Sequence, residues 1–227
     1  MAFAMPAQVI VVRHGEKNPE TRQLTQQGEE RAAALACYLT QTDYLLQFGP
    51  PAAIFAARHV PISDRLVPRP IQTIMPTAQL LQLPVHSPFN GYQVNEIASL
   101  ILNSSKYDGK NIVICWSHSS IHDLLNAFGY QAPFACSSPN KKYPDCRFDL
   151  IFVMTFPAPP PLPMQSLPYA TVFFQQLLFG DLTCEEVCPP FGSYPPLLPP
   201  IPCSCNDPAS CALICDIVCP NVGLGDD

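Results

Sequence analysis

Two short apolar runs rich in β-branched residues set the strongest limit on how this chain can fold. Gln8–Val12 reads QVIVV, and Asn111–Trp116 reads NIVICW. Runs of this kind, in which polar residues do not alternate, are typical of strands buried on both faces of a parallel sheet. Each run ends at residues that can carry chemistry, Arg13-His14 and Ser117-His118. Because ligands bind beyond the carboxyl ends of such strands, these are candidate site residues.

Helical segments separate the further candidate strands. This alternation predicts an α/β domain with helices layered on a largely parallel sheet. Thr25 is the predicted N-cap of the first helix, and Pro76 is expected to kink the second. The other predicted strands are Ala52–Ala57, Pro84–His86, Phe148–Phe156 and Thr171–Leu178, and the predicted helices are Arg31–Thr40, Arg69–Leu81, Val94–Leu102 and Ile121–Phe128.

Composition excludes several classes of protein. With 48% hydrophobic and 13% charged residues, the 227-residue chain is expected to form a core. A net charge of -6 and the lack of a basic run argue against a nucleic-acid partner. The chain has no apolar stretch near the ~20 residues needed to cross a bilayer. Its start lacks the basic and apolar regions of a signal peptide, so a soluble, cytoplasmic protein without a membrane partner is expected.

Four segments, in order along the chain, resemble the histidine phosphatase superfamily, which includes the cofactor-dependent phosphoglycerate mutases. The resemblance covers roughly residues 8–128, with a softer match to about 181, and is closer to bacterial members with an Arg-His-Gly-Glu-Lys motif than to the mutases. The four segments are Arg13-His14-Gly15-Glu16, Leu24-Thr25…Gly28…Arg31-Ala32, Arg69-Pro70-Ile71-Gln72-Thr73 and Ser117-His118-Ser119.

The resemblance implies a phosphoglycerate mutase-like three-layer α/β fold and a phosphatase that acts through a phosphohistidine. His14 would be the nucleophile, a role that a neutral imidazole suits near neutral pH. The implied reaction is hydrolysis of a small phosphate monoester without metal or organic cofactor. Binding of the substrate would fall to Arg13, Arg69, His118, Lys17 and Asn18.

Three arginines compete to be the second phosphate ligand. Arg58 and Arg65 lie in the loop before Arg69, and either is close enough in sequence to reach a substrate. Only Arg69 precedes Gln72-Thr73 at the spacing of the family's Arg-x-x-Gln-Thr segment. We therefore expect Arg69 to bind the phosphate.

The general acid has three candidates. Many superfamily phosphatases carry an aspartate directly after the second histidine, where this chain has Ser119. Other members use a glutamate after the Arg-x-x-Gln-Thr helix, and Glu96 has that spacing. Glu16 lies beside the nucleophile and is an alternative, as is Asp123, although Asp123 is expected to cap a helix that begins near Ser119 or Ser120.

Cysteine and histidine spacing does not indicate a zinc site in the front of the chain. His118 and His122 have the i, i+4 spacing of helix-borne ligands, but no third ligand is evident, and His118 is expected to precede its helix. Cys37 and Cys115 lie in apolar surroundings and are expected in the core.

The back of the chain has a different composition. Many of the 28 prolines follow Phe156. The lack of histidine and of Cys-x-x-Cys spacing disfavours structural zinc, although metal binding and disulfides stay open. We predict a histidine phosphatase domain at residues 1–181 and a Pro/Cys-rich extension at 182–227 that binds a protein partner. The cysteines of the extension are Cys184, Cys188, Cys203, Cys205, Cys211, Cys215 and Cys219.

Three other classes of function are alternatives to a phosphomonoesterase. A degenerate phosphatase fold without a competent acid would act as a binding module. Within the same fold, a mutase or a phosphohistidine-protein phosphatase is possible, although the extra segments of a mutase have no clear counterpart here. A metal-responsive protein acting through its cysteines is the third.

Overall fold

The predicted strand at Gln8–Val12 lies inside a six-stranded sheet as β1 (Gln8–Arg13). The computed structural model describes residues 5–58, 68–130, 143, 148–156 and 169–174. The strand order is β3-β2-β4-β1-β5-β6, in which β1 to β4 are mutually parallel and β5 runs antiparallel to β1 and β6. The largely parallel α/β sheet is thereby confirmed. The remaining strands are β2 (Pro51–Ala56), β3 (Val85–His86), β4 (Asn111–Trp116), β5 (Leu150–Thr155) and β6 (Tyr169–Phe174).

Helices cover both faces of the sheet, as the three-layer prediction requires. They are α1 (Gln26–Gln41), α2 (Arg69–Leu81), α3 (Val94–Leu102) and α4 (His118–Ala127). Successive side chains of a strand point to opposite faces. Val9 and Val11 therefore join a cluster with α3 and α4, whereas Ile10 and Val12 join one with α1 and α2. This double burial explains why the central strands lack alternating polar residues.

The predicted helix boundaries hold for α2 and α3, whose observed bounds equal the predicted ones. Thr25 caps α1 as expected, because its hydroxyl accepts a hydrogen bond from Gly28 N at 3.1 Å. The prediction for α4 was wrong at its start. The helix begins at His118, so His118 is its first residue and Asp123 lies beyond its first turn, where it cannot complete an N-terminal capping box.

The strand predictions differ from the structure by one or two residues at several ends. The second strand is Pro51–Ala56, and the fifth is Leu150–Thr155. The sixth begins two residues earlier than expected, at Tyr169, and positions 175–178 of that prediction lie outside the described residues. Helix α2 is continuous through Pro76, so the expected kink stays a prediction. None of the helices in the described ranges has the length and apolar character that crossing a bilayer requires.

Two glycines of the matched motifs meet where the loop after β1 crosses the start of α1. A Cβ atom on Gly15 would lie 2.9 Å from Gly28 O, and one on Gly28 would lie 2.8 Å from Glu16 O and 2.9 Å from Glu16 N. These distances are too short for real Cβ contacts, and the opposing atoms are backbone. The pair of glycines thus lets α1 pack directly against the loop that carries His14.

We expect Gly28→Ala to lower the free energy of unfolding and reduce ligand binding at the His14 loop. Alanine favours a helix over glycine by about 1 kcal/mol, but overpacking against backbone costs about 1–3 kcal/mol. The overlap should therefore win, as chemical denaturation can measure. Gly91→Ala is the matched control, because its Cβ would lie at an ordinary 3.8 Å from Ser117 Cβ. A Gly28→Ala variant as stable as the parent protein would contradict this explanation.

Candidate active site

The two histidines of the motifs meet at the carboxyl ends of neighbouring strands. β1 and β4 are adjacent and parallel, with Arg13 opposite Trp116. The backbone N–H of His14 donates to Trp116 O at 3.1 Å, which fixes the start of the loop to the end of β4. The rings of His14 and His118 lie 6.1 Å apart between centroids at an angle of 73°. The fold therefore brings together two residues that are 104 positions apart in sequence.

His14 is held in one tautomer. Its Nδ1 lies 2.7 Å from Gly15 O. A carbonyl oxygen can only accept, so Nδ1 carries the proton and Nε2 keeps its lone pair. His14 is only 3% exposed, and Nε2 has no hydrogen-bond partner among the described residues. The ring thus presents a single oriented nitrogen lone pair.

The surroundings of His14 keep its ring neutral. Burial lowers the pKa of His14 from 6.5 to about 3. The hydrogen bond to Gly15 O opposes this shift, while the positive charges of Arg69 and Arg13, and then His118, lower the pKa further. The side chain is therefore unprotonated throughout the neutral range and available as a nucleophile.

Arg69 lies at the start of α2 and is anchored by a turn of the preceding loop. Its Nη1 donates to the carbonyl of Arg22 at 3.0 Å. Arg22 has a left-handed backbone with φ of 61°, and its N–H donates to Asn18 O at 2.9 Å. Burial lowers the pKa of Arg69, and the positive charge of Arg22 lowers it further. The Nε of Arg69 is a buried donor that has no hydrogen-bond partner in the described part of the chain. An anion would relieve both the crowding of charge and the missing hydrogen bond.

Arg13 is the last residue of β1 and is 4% exposed. Its Cζ lies 3.7 Å from the centroid of the Phe148 ring and 5.4 Å from that of Tyr143. Both are within the range of cation–π attraction. Arg13 is therefore a buried cation set among aromatic rings, beside the imidazole whose pKa it lowers.

Thr73 of α2 joins the His14 loop to the helix that begins at Arg69. Its Oγ1 accepts from Gly15 N at 2.9 Å and donates to Arg69 O at 2.8 Å. The preceding Gln72 accepts from Leu24 N at 3.3 Å and also bonds the side chain of Gln23. The Arg-x-x-Gln-Thr segment thus supplies the guanidinium of Arg69 and two side chains, Gln72 and Thr73, that hydrogen-bond the loop around His14.

The carboxylate of Glu16 forms an ion pair with the guanidinium of Arg31. Arg31 Nε lies 2.9 and 3.0 Å from the two carboxylate oxygens, and Nη2 lies 2.5 Å from Oε1. Arg31 is 1% exposed. Both oxygens of Glu16 accept from this buried guanidinium, so the carboxylate anchors the loop to α1, and its role as an acid stays a prediction.

The other two acid candidates are exposed side chains on the α3–α4 side of the sheet. Glu96 lies in the first turn of α3, with Oε1 3.5 Å from Gln93 Nε2. Asp123 lies on α4 and lines a surface cavity of about 440 Å³ together with Val94, Asn95, Asn126 and Ala127. Their roles stay predictions.

The remaining predicted ligands lie on the outer part of the loops. Lys17 is exposed, and its backbone bridges to Leu24. Asn18 uses Oδ1 to accept from Glu20 N at 2.9 Å and Thr21 N at 3.1 Å, which shapes the turn that supports Arg69. Arg58 is exposed, with its backbone N–H on Phe89 O, and Arg65 lies outside the described residues.

No cluster of three or more His, Cys, Asp or Glu side chains with metal-site geometry occurs within the described ranges. His118 and His122 both lie on α4. Cys37 and Cys115 are buried, as expected, and burial raises the pKa of the Cys115 thiol. The seven cysteines of the predicted extension lie outside the described residues.

Sequence reasoning missed four contributors to the site. Arg31 was noted only as part of a motif, although its spacing from Glu16 could have suggested the ion pair. Arg22 acts through its backbone carbonyl, which leaves no side-chain signal. Phe148 and Tyr143 contact Arg13 from more than 120 positions away, and no local pattern marks them.

No protein-family model and no curated protein sequence matches the chain. Among solved structures, it is similar to SixA from Agrobacterium tumefaciens, assigned as a phosphohistidine phosphatase, with 14% identity and a TM-score of 0.47 over 66% of this chain and 92% of the other. A phosphoserine phosphatase from Entamoeba histolytica has 15% identity and a TM-score of 0.41. The match covers 72% of this chain and 94% of the other. A mycobacterial glucosyl-3-phosphoglycerate phosphatase has 11% sequence identity to this chain and a TM-score of 0.41. The match covers 66% of this chain and 92% of the other.

All three of these solved structures are described as phosphatases. Their identities to this chain are low. The chemistry of the site is therefore inferred from its own residues.

We expect the buried, neutral His14 to make stability fall in acid. The pKa of His14 is about 3 in the folded protein against 6.5 for an unperturbed histidine. Between these values the unfolded chain binds more protons, so stability decreases as the pH falls through this window and is unaffected by His14 above it. From pH 7 to pH 5 the loss is about 2 kcal/mol.

His14→Gln lacks the titrating ring. Urea unfolding of the two proteins from pH 7 to pH 5 should show a shallower decrease for His14→Gln by that amount. Parallel curves would mean that His14 is protonated, or accessible to water, in the folded state.

Proposed function

We propose that the protein is a phosphatase that hydrolyses phosphate monoesters through a phosphohistidine on His14. The observation that carries the proposal is the state of the ring: buried, neutral, and held by Gly15 O so that Nε2 keeps a lone pair. Two arginines and a second histidine surround it. A neutral nucleophile inside a cationic pocket suits an anionic electrophile such as a phosphate ester.

The first half-reaction transfers the phosphoryl group. Nε2 of His14 uses its lone pair to form the N–P bond, and the P–O bond to the alcohol breaks. The alcohol oxygen leaves with the bonding electrons and takes up a proton. The bond from Nδ1–H to Gly15 O stabilises the positive charge that the ring acquires.

The second half-reaction returns the enzyme to its starting state. Water attacks phosphorus, the N–P bond breaks, and inorganic phosphate leaves while its electron pair returns to Nε2. Arg13 and Arg69 would balance the phosphoryl charge in both steps, and His118, at the start of α4, would donate to a phosphoryl oxygen. This division of labour needs no metal ion.

We assign the role of proton donor to Glu96. The loop before α3 lies against the second histidine's segment, because Trp116 Nε1 donates to Gly91 O at 3.0 Å and a Cβ on Gly91 would touch Ser117. The first turn of α3, which carries Glu96, starts three residues later. With Glu16 engaged by Arg31, we take Glu96 rather than Glu16 as the carboxyl group that protonates the leaving oxygen.

His14→Ala should abolish turnover of every phosphate ester, because the nucleophilic nitrogen is lost. Rapid quenching of the parent protein with phosphorus-labelled substrate should leave an acid-labile label, which peptide mapping locates on His14. His86→Ala, which changes a histidine of the edge strand β3, serves as the control and should keep the label. Label on a serine or cysteine would overturn the mechanism.

Glu96→Gln should slow hydrolysis of an alkyl phosphate by about 10²–10⁴-fold and affect p-nitrophenyl phosphate far less. A poor leaving group needs a proton, whereas p-nitrophenolate leaves without one. Gln keeps the size and the hydrogen-bonding capacity of Glu, so the substrate comparison isolates proton transfer. Equal effects on both substrates would show that Glu96 positions the phosphate or the fold, and the same comparison for Asp123→Asn tests the rival donor.

A further inference from the structure

Phe148 packs against both buried arginines near the nucleophile. Its ring centroid lies 3.7 Å from Cζ of Arg13 and 5.8 Å from Cζ of Arg31. Arg13 and Arg31 are 4% and 1% exposed. In water an exposed guanidinium gains little from an aromatic ring, but the attraction strengthens when the cation is desolvated. Because Arg13 is buried, its attraction to the face of the Phe148 ring is stronger than it would be in water.

The direction of β5 explains how a distant residue reaches this place. Ligand-binding edges of parallel sheets are built from residues that follow the strands, such as His14 and His118. β5 is antiparallel to β1, with Val12 opposite Ile151. The residues that precede β5 therefore lie at the same edge as the residues that follow β1. Because of this register, Phe148, which lies two positions before β5, is close to the end of β1.

The geometry points to Phe148 as a positioning residue that orients the guanidinium of Arg13 for phosphate. The five N–H donors of a guanidinium lie in its plane. A ring that lies against the face of the group restrains its rotation without itself accepting an in-plane hydrogen bond. The inference rests on the proposed function, because Arg13 is a ligand only in a site that binds phosphate.

Arg31 extends the restraint to the loop of the nucleophile. Arg31 contacts Phe148 on one side and holds both oxygens of Glu16 on the other. Glu16 O in turn accepts from Thr25 N at 3.0 Å. Phe148 therefore sits between the phosphate-binding arginine and the ion pair that fixes the His14 loop.

Fluorination of Phe148 tests this without changing the shape of the side chain. Phenylalanine with one, two or three ring fluorines is incorporated at position 148, because each fluorine withdraws charge from the ring face. Binding of inorganic phosphate to the full chain is then measured by titration calorimetry. We expect the Kd for phosphate to rise stepwise and to reach about 5- to 30-fold for the trifluoro ring, with unchanged thermal unfolding. Phe148→Leu should show a rise at least as large.

The same fluorinated residues at Phe128 are the control. Phe128 is 2% exposed and packs against Phe156 with centroids 6.3 Å apart. Its series should leave the Kd unchanged. A constant Kd through the Phe148 series, or an equal rise at Phe128, would overturn the positioning role. Failure of the folded parent protein to bind phosphate would overturn the proposed function itself, because this readout does not depend on turnover.

Discussion

The hydroxyl of Thr73 is the contact on which the rest of the site depends. It is fully buried, accepts from Gly15 N and donates to Arg69 O. One side chain thereby joins the loop that carries His14 to the helix that begins at Arg69. Replacing it with valine would remove this partner from the buried Gly15 N, which costs about 1–3 kcal/mol. The hydrogen bonds of this threonine thus link the packing of α2 to the chemistry of His14.

The second constraint on the site is the positive charge that surrounds His14. Two guanidinium groups and a second imidazole face a histidine whose pKa falls to about 3, so the folded protein concentrates positive charge where little water reaches. Such an arrangement is costly unless hydrogen bonds and aromatic rings hold the cations. In the proposed reaction a phosphate would meet donors that are already oriented, so little reorganisation would be needed.

Much of the frame was predictable because it follows from local patterns. The buried runs at β1 and β4 placed His14 and His118 at neighbouring strand ends, and the bounds of α2 were predicted to the residue. The start of α4 was missed because Ser117, Ser119 and Ser120 are all of a residue type that favours N-caps, so the sequence offered several starting points. The ion pair of Glu16 with Arg31 was not predicted. Proximity in sequence to the nucleophile suggested chemistry, whereas Arg31, one turn into α1, determines where the carboxylate points.

What sequence could not supply is the part of the site that comes from the antiparallel strand. A parallel strand contributes the residues after its end, and motif reasoning searches there. β5 runs the other way, so it contributes the residues before its start. Phe148 reaches Arg13, 135 positions earlier in the sequence, because the register of β5 on β1 pairs Val12 with Ile151. An aromatic residue before a strand is common and carries no signature of such a role. The orientation of one strand therefore decides whether an aromatic ring lies against the buried guanidinium of Arg13.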